Sequence, residues 1–263
     1  MIKFCSFASG SSGNCYLVKT DNTAIIIDAG ISAKRVAHGL ARSLTPEESV
    51  EALLITHEHS DHVSGLKPLV NRFAGAEVFA SAGTFDGLRI GIASDRKRLV
   101  TPGRGFEVGD IEVSTFSLSH DAAEPTGYTL KSGDKSVSIV TDTGVLTEEI
   151  LSAVADADLL VLESNHDLEM LKNGRYPAFL KQRIISDNGH LSNVQAAHAV
   201  CEIMSMDKKP RCILLAHLSR DNNRPQLAED TVTGIALEMG WCSGRDLFIK
   251  PLMRDHMSVV FEI

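Results

Sequence analysis

Residues 53–66 read LLITHEHSDHVSGL, from Leu53 to Leu66, and six consecutive positions of that stretch hold His57, Glu58, His59, Asp61 and His62. The apolar run before them, Leu53 to Ile55, has the character of a buried strand. A strand normally exits through an ordinary polar turn, whereas this exit is loaded with groups that bind divalent metals. On extended backbone, side chains two apart point to the same side, so His57 and His59 converge while Glu58 and Ser60 turn away. Asp61 then opens a helix, where the dipole favours an acid. The competing reading is a polar loop before an Asp-capped helix. A chance H-x-H-x-D-H in a chain of this composition is expected on the order of once per thousand such sequences, so metal binding is preferred.

Working outward, the chain has 263 residues, 43% hydrophobic and 23% charged, with a formal net charge of −8. That length allows a sizeable core, and no linker, repeat or low-complexity segment divides it, so a single domain over 1–263 is expected. No apolar segment approaches the ~20 residues of a membrane span. The start, MIKFCSFASGSSGNCYLV, lacks the apolar core of a secretory leader, which favours the cytoplasm and no membrane partner. The five cysteines are scattered, with no C-x-x-C pair, and read as small buried residues rather than a disulfide framework. The acidic total argues against broad attraction to nucleic acid but leaves room for a local basic groove.

Strands are predicted at 2–7, 14–19, 24–28, 52–56, 77–80, 111–117, 127–131, 136–141, 159–163, 212–216 and 258–263. Helices are predicted at 32–42, from Asp61 through Phe73, and at 147–153, 192–206 and 225–239, with Ser192 as an N-cap. Strands in both halves with interspersed helices imply two packed sheets covered by helices, an α/β sandwich whose strand order periodicity does not fix. The turn SGSSGN (residues 9–14) joins two strands, or else lets backbone amides approach a phosphate. The basic run Arg96–Arg98 reads as exposed helix or loop.

H-x-H-x-D-H behind an apolar strand resembles the signature of the metallo-β-lactamase superfamily, a four-layer αββα sandwich holding one or two metals at one edge of its sheets. The resemblance demands three further ligands in order, each behind a strand. SLSHDA supplies His120, IVTDTG supplies Asp142 and LLAHLS supplies His217. Carried over, His57, His59 and His120 would hold one cation, Asp61, His62 and His217 a second, and Asp142 would bridge them. A carboxylate at Asp142, where many β-lactamases of this fold have cysteine, points to the hydrolase and nuclease branches. A donor set without thiolate suits two divalent ions, zinc or manganese first, with iron also accommodated.

LVLESNHD places Glu163, Asn165 and His166 at a strand end, and DNGHLSN places His190 before a helix. The pair Glu163 and His190 resembles the glutamate and histidine of the ribonuclease Z branch, where the histidine contacts the scissile phosphate and the glutamate orients it. His190 as a mere turn residue is the competing reading, and His166 either joins the site or decorates a loop. Together with GRYP, LK-x-RI and LLAHLSRDNN, these motifs resemble the YycJ (WalJ) group, bacterial single-domain members for which 5′ to 3′ DNA exonuclease activity is proposed. That resemblance implies DNA as substrate and a hydroxide generated between two cations, with Asp61 accepting its proton and His190 assisting at the phosphate. Lys181, Arg183, Arg220 and Arg224, with Asn222 and Asn223, either track a nucleic-acid backbone or are solvated surface. The alternatives are a hydrolase of a small molecule (cyclic nucleotide, lactone or thioester) and a binding protein that keeps metal without turnover.

Overall fold

The segment Ala24–Ile27 is buried at every position, and its two faces enter different cores. Ile25 and Ile27 join a cluster with Val161 and Leu214, whereas Ala24 and Ile26 join one with Val36 and Leu69. Leu159 to Leu162 divide likewise, Leu159 and Val161 inward and Leu160 and Leu162 outward. Strands buried on both faces require a cover on each side, and that requirement sets the layering.

The structure, a computed structural model, describes residues 1–44 and 49–263. One sheet contains β1 (Lys3–Ala8), β2 (Cys15–Lys19), β3 (Ala24–Ile27), β4 (Val50–Leu54), β5 (Glu77–Ser81) and β6 (Lys97–Val100). The other contains β7 (Gly105–Val108), β8 (Ile111–Ser117), β9 (Thr126–Ser132), β10 (Lys135–Val140), β11 (Leu159–Glu163), β12 (Arg211–Ala216) and β13 (Leu247–Pro251). With β14 (Phe261–Glu262) beside β1, the orders are β14-β1-β2-β3-β4-β5-β6 and β13-β12-β11-β10-β9-β8-β7. Helices α1 (Ala33–Ser43), α2 (Ser60–Val63), α3 (Leu66–Arg72) and α4 (Ala82–Gly87) belong to the first half. The second half holds α5 (Glu148–Val154), α6 (Leu168–Asn173), α7 (Ala178–Ile184), α8 (Asn193–Met206) and α9 (Pro225–Glu238). One core lies between the sheets, a second under α1 and α3, and a third under α5, α8 and α9. This is the αββα sandwich expected from the resemblance.

Strand direction places the site. Strands β3 to β6 are mutually parallel, as are β10 to β13. Strand β8 runs the same way as β10, because each is antiparallel to β9. Ligands in open α/β sheets gather beyond the carboxyl ends of the strands, and here β3, β4, β8, β10, β11 and β12 all deliver a polar residue there.

Three expectations change. The helix expected from Asp61 through Phe73 breaks into α2 and α3 at Gly65, which packs against the 29–31 loop. A Cβ on Gly65 would stand 1.9 Å from the Ile31 carbonyl oxygen, and its N–H donates to the Ala29 carbonyl at 2.7 Å. The closing strand shrinks to Phe261–Glu262, although Ser258 still bonds to Ser6. The basic run is split: Arg96 ends a single 3-10 turn, Ser94–Arg96, whereas Lys97–Val100 is an edge strand, the kind of position charge protects from further pairing. Arg96 just before it donates to the carbonyls of Val70, Phe73 and Ala76 and so ties down the end of α3.

Candidate metal centre

The first wall of the site comes from β3, β4 and the turn into α2. Asp28, one residue past β3, is buried with φ of 58°, a left-handed conformation that aspartate tolerates better than most residues. Its carboxylate accepts from the Thr56 backbone N–H at 2.9 Å, from the Thr56 hydroxyl and from His62 Nδ1 at 2.7 Å. The Thr56 hydroxyl, committed to Asp28 as donor, is left to accept from His57 Nδ1 at 3.0 Å. The glycine turn between β1 and β2 forms the adjoining rim. Asn14 N–H donates to the Asp61 carbonyl at 2.8 Å, and Ser9 Oγ accepts from the His217 N–H at 2.9 Å. Gly30 makes this packing possible, since a Cβ there would lie 1.6 Å from the Asp61 carbonyl oxygen.

The second wall comes from the other sheet. Asp142 and His217 follow β10 and β12 with φ of 63° and 54°. Strained φ values of this kind concentrate at functional positions. The Glu163 carboxylate at the end of β11 is fully buried and fully used. Its Oε1 accepts from His190 Nδ1 at 2.8 Å and His217 Nδ1 at 2.9 Å; its Oε2 accepts from the N–H groups of Thr143 and Leu191. His120 Nδ1 donates to the Gly189 carbonyl at 3.1 Å.

Across these contacts one pattern recurs. Nδ1 of His57, His62, His120 and His217 is occupied by a neighbouring oxygen, which leaves Nε2 as the nitrogen that faces the centre, although in His62 it also lies 3.0 Å from the Asn14 side-chain amide. Partners of this kind fix ring orientation and tautomer in metal sites. The donor atoms of His57, His59 and His120 lie within 4.8 Å of one another, as do those of Asp61, His62 and His217. Asp142 sits between the groups, with Oδ2 3.1 Å from His62 Nε2 and Oδ1 3.8 Å from His120 Nε2. His57 Nε2 and Asp142 Oδ2 are buried without a hydrogen-bond partner among the described residues. Orphaned atoms of that kind demand an explanation, and a cation between them supplies one. The residues therefore fit a divalent metal centre.

The electrostatics differ across the site. Burial first, then the proximity of His62, holds His57 well below the ordinary histidine value. Burial likewise lowers His120. These are neutral imidazoles, the form a metal takes. Burial also opposes charge on His217, but Asp142, Asp61 and Glu163 outweigh it and raise the ring to about 10. His62 is raised for the same reason, with Asp28 and Asp142 overcoming burial. Burial would raise Asp142, yet His217 and His62 hold it well below the usual carboxylate range. Burial would also raise Glu163, but His190 prevails and Glu163 falls to about 2.

The nine residues assigned at the sequence level as ligands or catalytic groups, His57, His59, Asp61, His62, His120, Asp142, Glu163, His190 and His217, therefore meet at one sheet edge. Glu163 differs from expectation in serving two histidines rather than His190 alone. His190, Asp61, Asp142, His217, Tyr176 and Arg183 are among the residues lining a cleft of about 240 Å³. His166 is fully buried, does not line that cleft, and is lowered to about 4 by burial. Asn222 and Asn223 are buried and structural, neither solvated nor on a track. The Asn223 amide donates to the carbonyls of Ser164 and Asn165, which pins the loop after β11. Lys181 donates to the Lys172 carbonyl at 2.7 Å, joining α7 to α6. Sequence reading passed over Asp28, Thr56, Asn14 and Asp121. The one available signal was a charged residue closing an otherwise apolar strand, at Asp28.

The profile of the β-lactamase superfamily domain matches residues 23–217 of the chain. An exodeoxyribonuclease YycJ of Bacillus anthracis is 39% identical over 246 residues, spanning 92% of each chain. An exodeoxyribonuclease WalJ of Streptococcus pneumoniae is 38% identical, covering 99% of this chain and 98% of its own. Among solved structures, the metallo-β-lactamase fold protein YhfI of Bacillus subtilis superposes with a TM-score of 0.71 at 15% identity, covering both chains completely. Unliganded yeast PDE1 superposes with a TM-score of 0.72 at 13% identity over 97% of this chain and 99% of its own.

Proposed function

Since this chain belongs to the metallo-β-lactamase superfamily of metal-dependent hydrolases, and within it is similar to YycJ and WalJ, we propose that it is a dinuclear-metal phosphodiesterase acting on DNA as a 5′ to 3′ exonuclease. One observation carries the reading: His190 lines the cleft beside Asp142 and is held by Glu163 at 2.8 Å. A raised, buried imidazole suits protonation of a leaving alkoxide, the group that phosphodiester cleavage expels. The names of the two relatives support DNA as the substrate. A cytoplasmic location, where bacterial DNA lies, belongs to the same reading; no helix among the described residues is long and apolar enough to cross a membrane.

His57, His59 and His120 would hold one cation, zinc or manganese, and Asp61, His62 and His217 the other, with Asp142 shared. Cations so held lower the pKa of a water and offset charge on phosphate oxygens. The chain's own groups supply the rest. Burial opposes charge on His190, but Glu163 and Asp142 raise its pKa, so its ring stays protonated into the neutral range. It then donates its Nε2 proton to the leaving oxygen. Asp61 is the more exposed of the two proposed carboxylate ligands and lines the cleft, where it accepts the proton of the attacking water. Glu163 moves no proton, because all its lone pairs facing the site are engaged; it fixes the angle between His190 and His217.

The modest cleft volume favours a second reading, hydrolysis of a small phosphodiester. A panel of 5′-labelled single- and double-stranded DNA, bis-p-nitrophenyl phosphate and a lactone separates the two, with zinc, manganese or magnesium added. Stepwise loss of nucleotides from a 5′ end is expected, and abolished in His57→Ala and Asp61→Ala proteins. Element analysis should give two ions per chain. Turnover of the lactone alone overturns the phosphodiesterase reading, and turnover of the small diester without DNA restricts it.

A further inference from the structure

Helix α7 forms one wall of the cleft, presenting Leu180, Arg183 and Ile184 at the i, i+3, i+4 spacing that shares a helix face. Its end is fixed to the active-site turn, because the Ile184 carbonyl accepts the His190 N–H at 2.8 Å. Arg183 is thus carried on the same support as His190. Its Nε–H donates to Asp121 Oδ2, and Asp121 Oδ1 lies 3.3 Å from His120 Nε2. The guanidinium therefore stands one carboxylate away from the three-histidine group. Among the described residues nothing bonds to its Nη1 or Nη2, and the side chain is 55% exposed. The structure thus offers an arginine that is aligned through Nε, faces a cleft, and keeps its fork of N–H donors free. Such a fork matches two oxygens of a phosphate.

We propose that Arg183 binds the phosphate adjoining the scissile one, so that the preferred substrate is a strand with consecutive phosphates rather than an isolated diester. The inference rests on the nuclease reading above and specifies it. Asp121 makes the assignment sharper. It cancels much of the guanidinium charge, so the site is weak for a free anion and selective for a phosphate already tethered to the reacting one. The pair acts as a positioning device: Asp121 sets the plane of the guanidinium, and the guanidinium sets the register of the strand.

The test uses metal-loaded full-length protein and a 3′-fluorescein hexadeoxynucleotide in which the linkages are replaced one at a time by neutral methylphosphonate. Binding is read by fluorescence anisotropy, and cleavage of the unmodified strand is followed separately. For the unaltered protein, neutralising one linkage next to the cleaved one is expected to weaken binding about tenfold, the scale of a lost charged hydrogen bond. Arg183→Gln should weaken the unmodified strand about as much, reduce the salt slope by about one, and abolish sensitivity at that linkage. Arg183→Lys, which keeps charge without the fork, should fall between. If Arg183 only braces Asp121 and His120, Arg183→Gln will weaken every strand equally and lower metal content, which overturns the inference. Indifference of the unaltered protein to all neutral linkages overturns it as well. Absence of any DNA cleavage, by contrast, sinks the nuclease reading, while the binding cycle still decides the role of Arg183.

Discussion

The two halves of the candidate centre solve one problem differently. His57, His59 and His120 form an all-imidazole group, their rings edge-on with centroids 4.7 to 5.2 Å apart. Asp61, His62 and His217 form a group dense in carboxylates, with Asp28, Asp142 and Glu163 crowding the same two histidines. In the first half, burial and neighbouring rings disfavour protons on His57 and His120. In the second, negative charge keeps protons on, and those protons occupy positions a cation would take. The neutral half is thus prepared to receive metal, whereas the acidic half must exchange charge for charge. Asp142 belongs to both, and loss of that one residue should have the largest effect.

Asp142→Ala removes the group between the halves and leaves His62 and His217 without a main counter-charge. Phosphodiester hydrolysis is expected to fall ~10³-fold or more, and metal content measured on the purified protein should drop below one ion per chain. Retention of both ions with near-normal turnover breaks the idea that the halves share this residue. His190→Ala comes next. Its ring touches neither group as a predicted ligand, so kcat should fall ~10²- to 10⁴-fold, the range of a lost general acid, with metal content unchanged. Glu163→Gln should have a related but smaller effect. Without the carboxylate that raises it, His190 loses its proton at lower pH, so the alkaline limb of the kcat profile is expected to move towards neutrality. An unmoved limb assigns that proton to another group.

Asp28→Asn probes the support beneath the acidic half alone. The partner of His62 Nδ1 loses its charge, and removal of such partners costs ~10- to 100-fold in metal affinity. Competition with a fluorescent chelator should show one weakened site and one unchanged. Equal weakening of both breaks the comparison, because Thr56 would then be transmitting the change to His57 through its shared hydroxyl.

How much of this was legible in the sequence follows from the range of the contacts. His57, His59, Asp61 and His62 stand in one run, so their chemistry is visible without folding. His120, Asp142 and His217 lie far apart along the chain, but each follows an apolar strand, and a known pattern gathers them. Asp28 is different. It meets His62 only because β3 and β4 pair in parallel with Ile27 opposite Leu54, and an isolated D-A-G carries no mark of that partner. Asn223 misled for the opposite reason: a polar residue among arginines looks solvated, yet its amide satisfies buried carbonyls. Strand β6 was missed because its charges, Lys97 and Arg98, are what an exposed loop also carries.

The smallest expected effect is the most direct test of the contrast between the halves, because it alters no residue. His217 is raised to about 10 against the pull of burial, by Asp142, Asp61 and Glu163. Below that pH its Nε2 carries a proton that a cation must displace, and His62 is raised as well, so affinity at the acidic half should decrease by at least about tenfold for each unit of falling pH. His57 and His120 are lowered instead, mainly by burial, so these two ligands of the three-histidine half have less of a proton to give up to a cation. A metal titration followed at several pH values from 8 down to 6 should therefore show one affinity that slopes steeply and one that slopes less. The first ion to leave on acidification should be the one facing Asp61, and activity should be lost with it while one ion per chain remains. Two parallel slopes would mean that the charges on Asp28, Asp142 and Glu163 are felt equally across the site, and that the division into a neutral and an acidic half has no thermodynamic content.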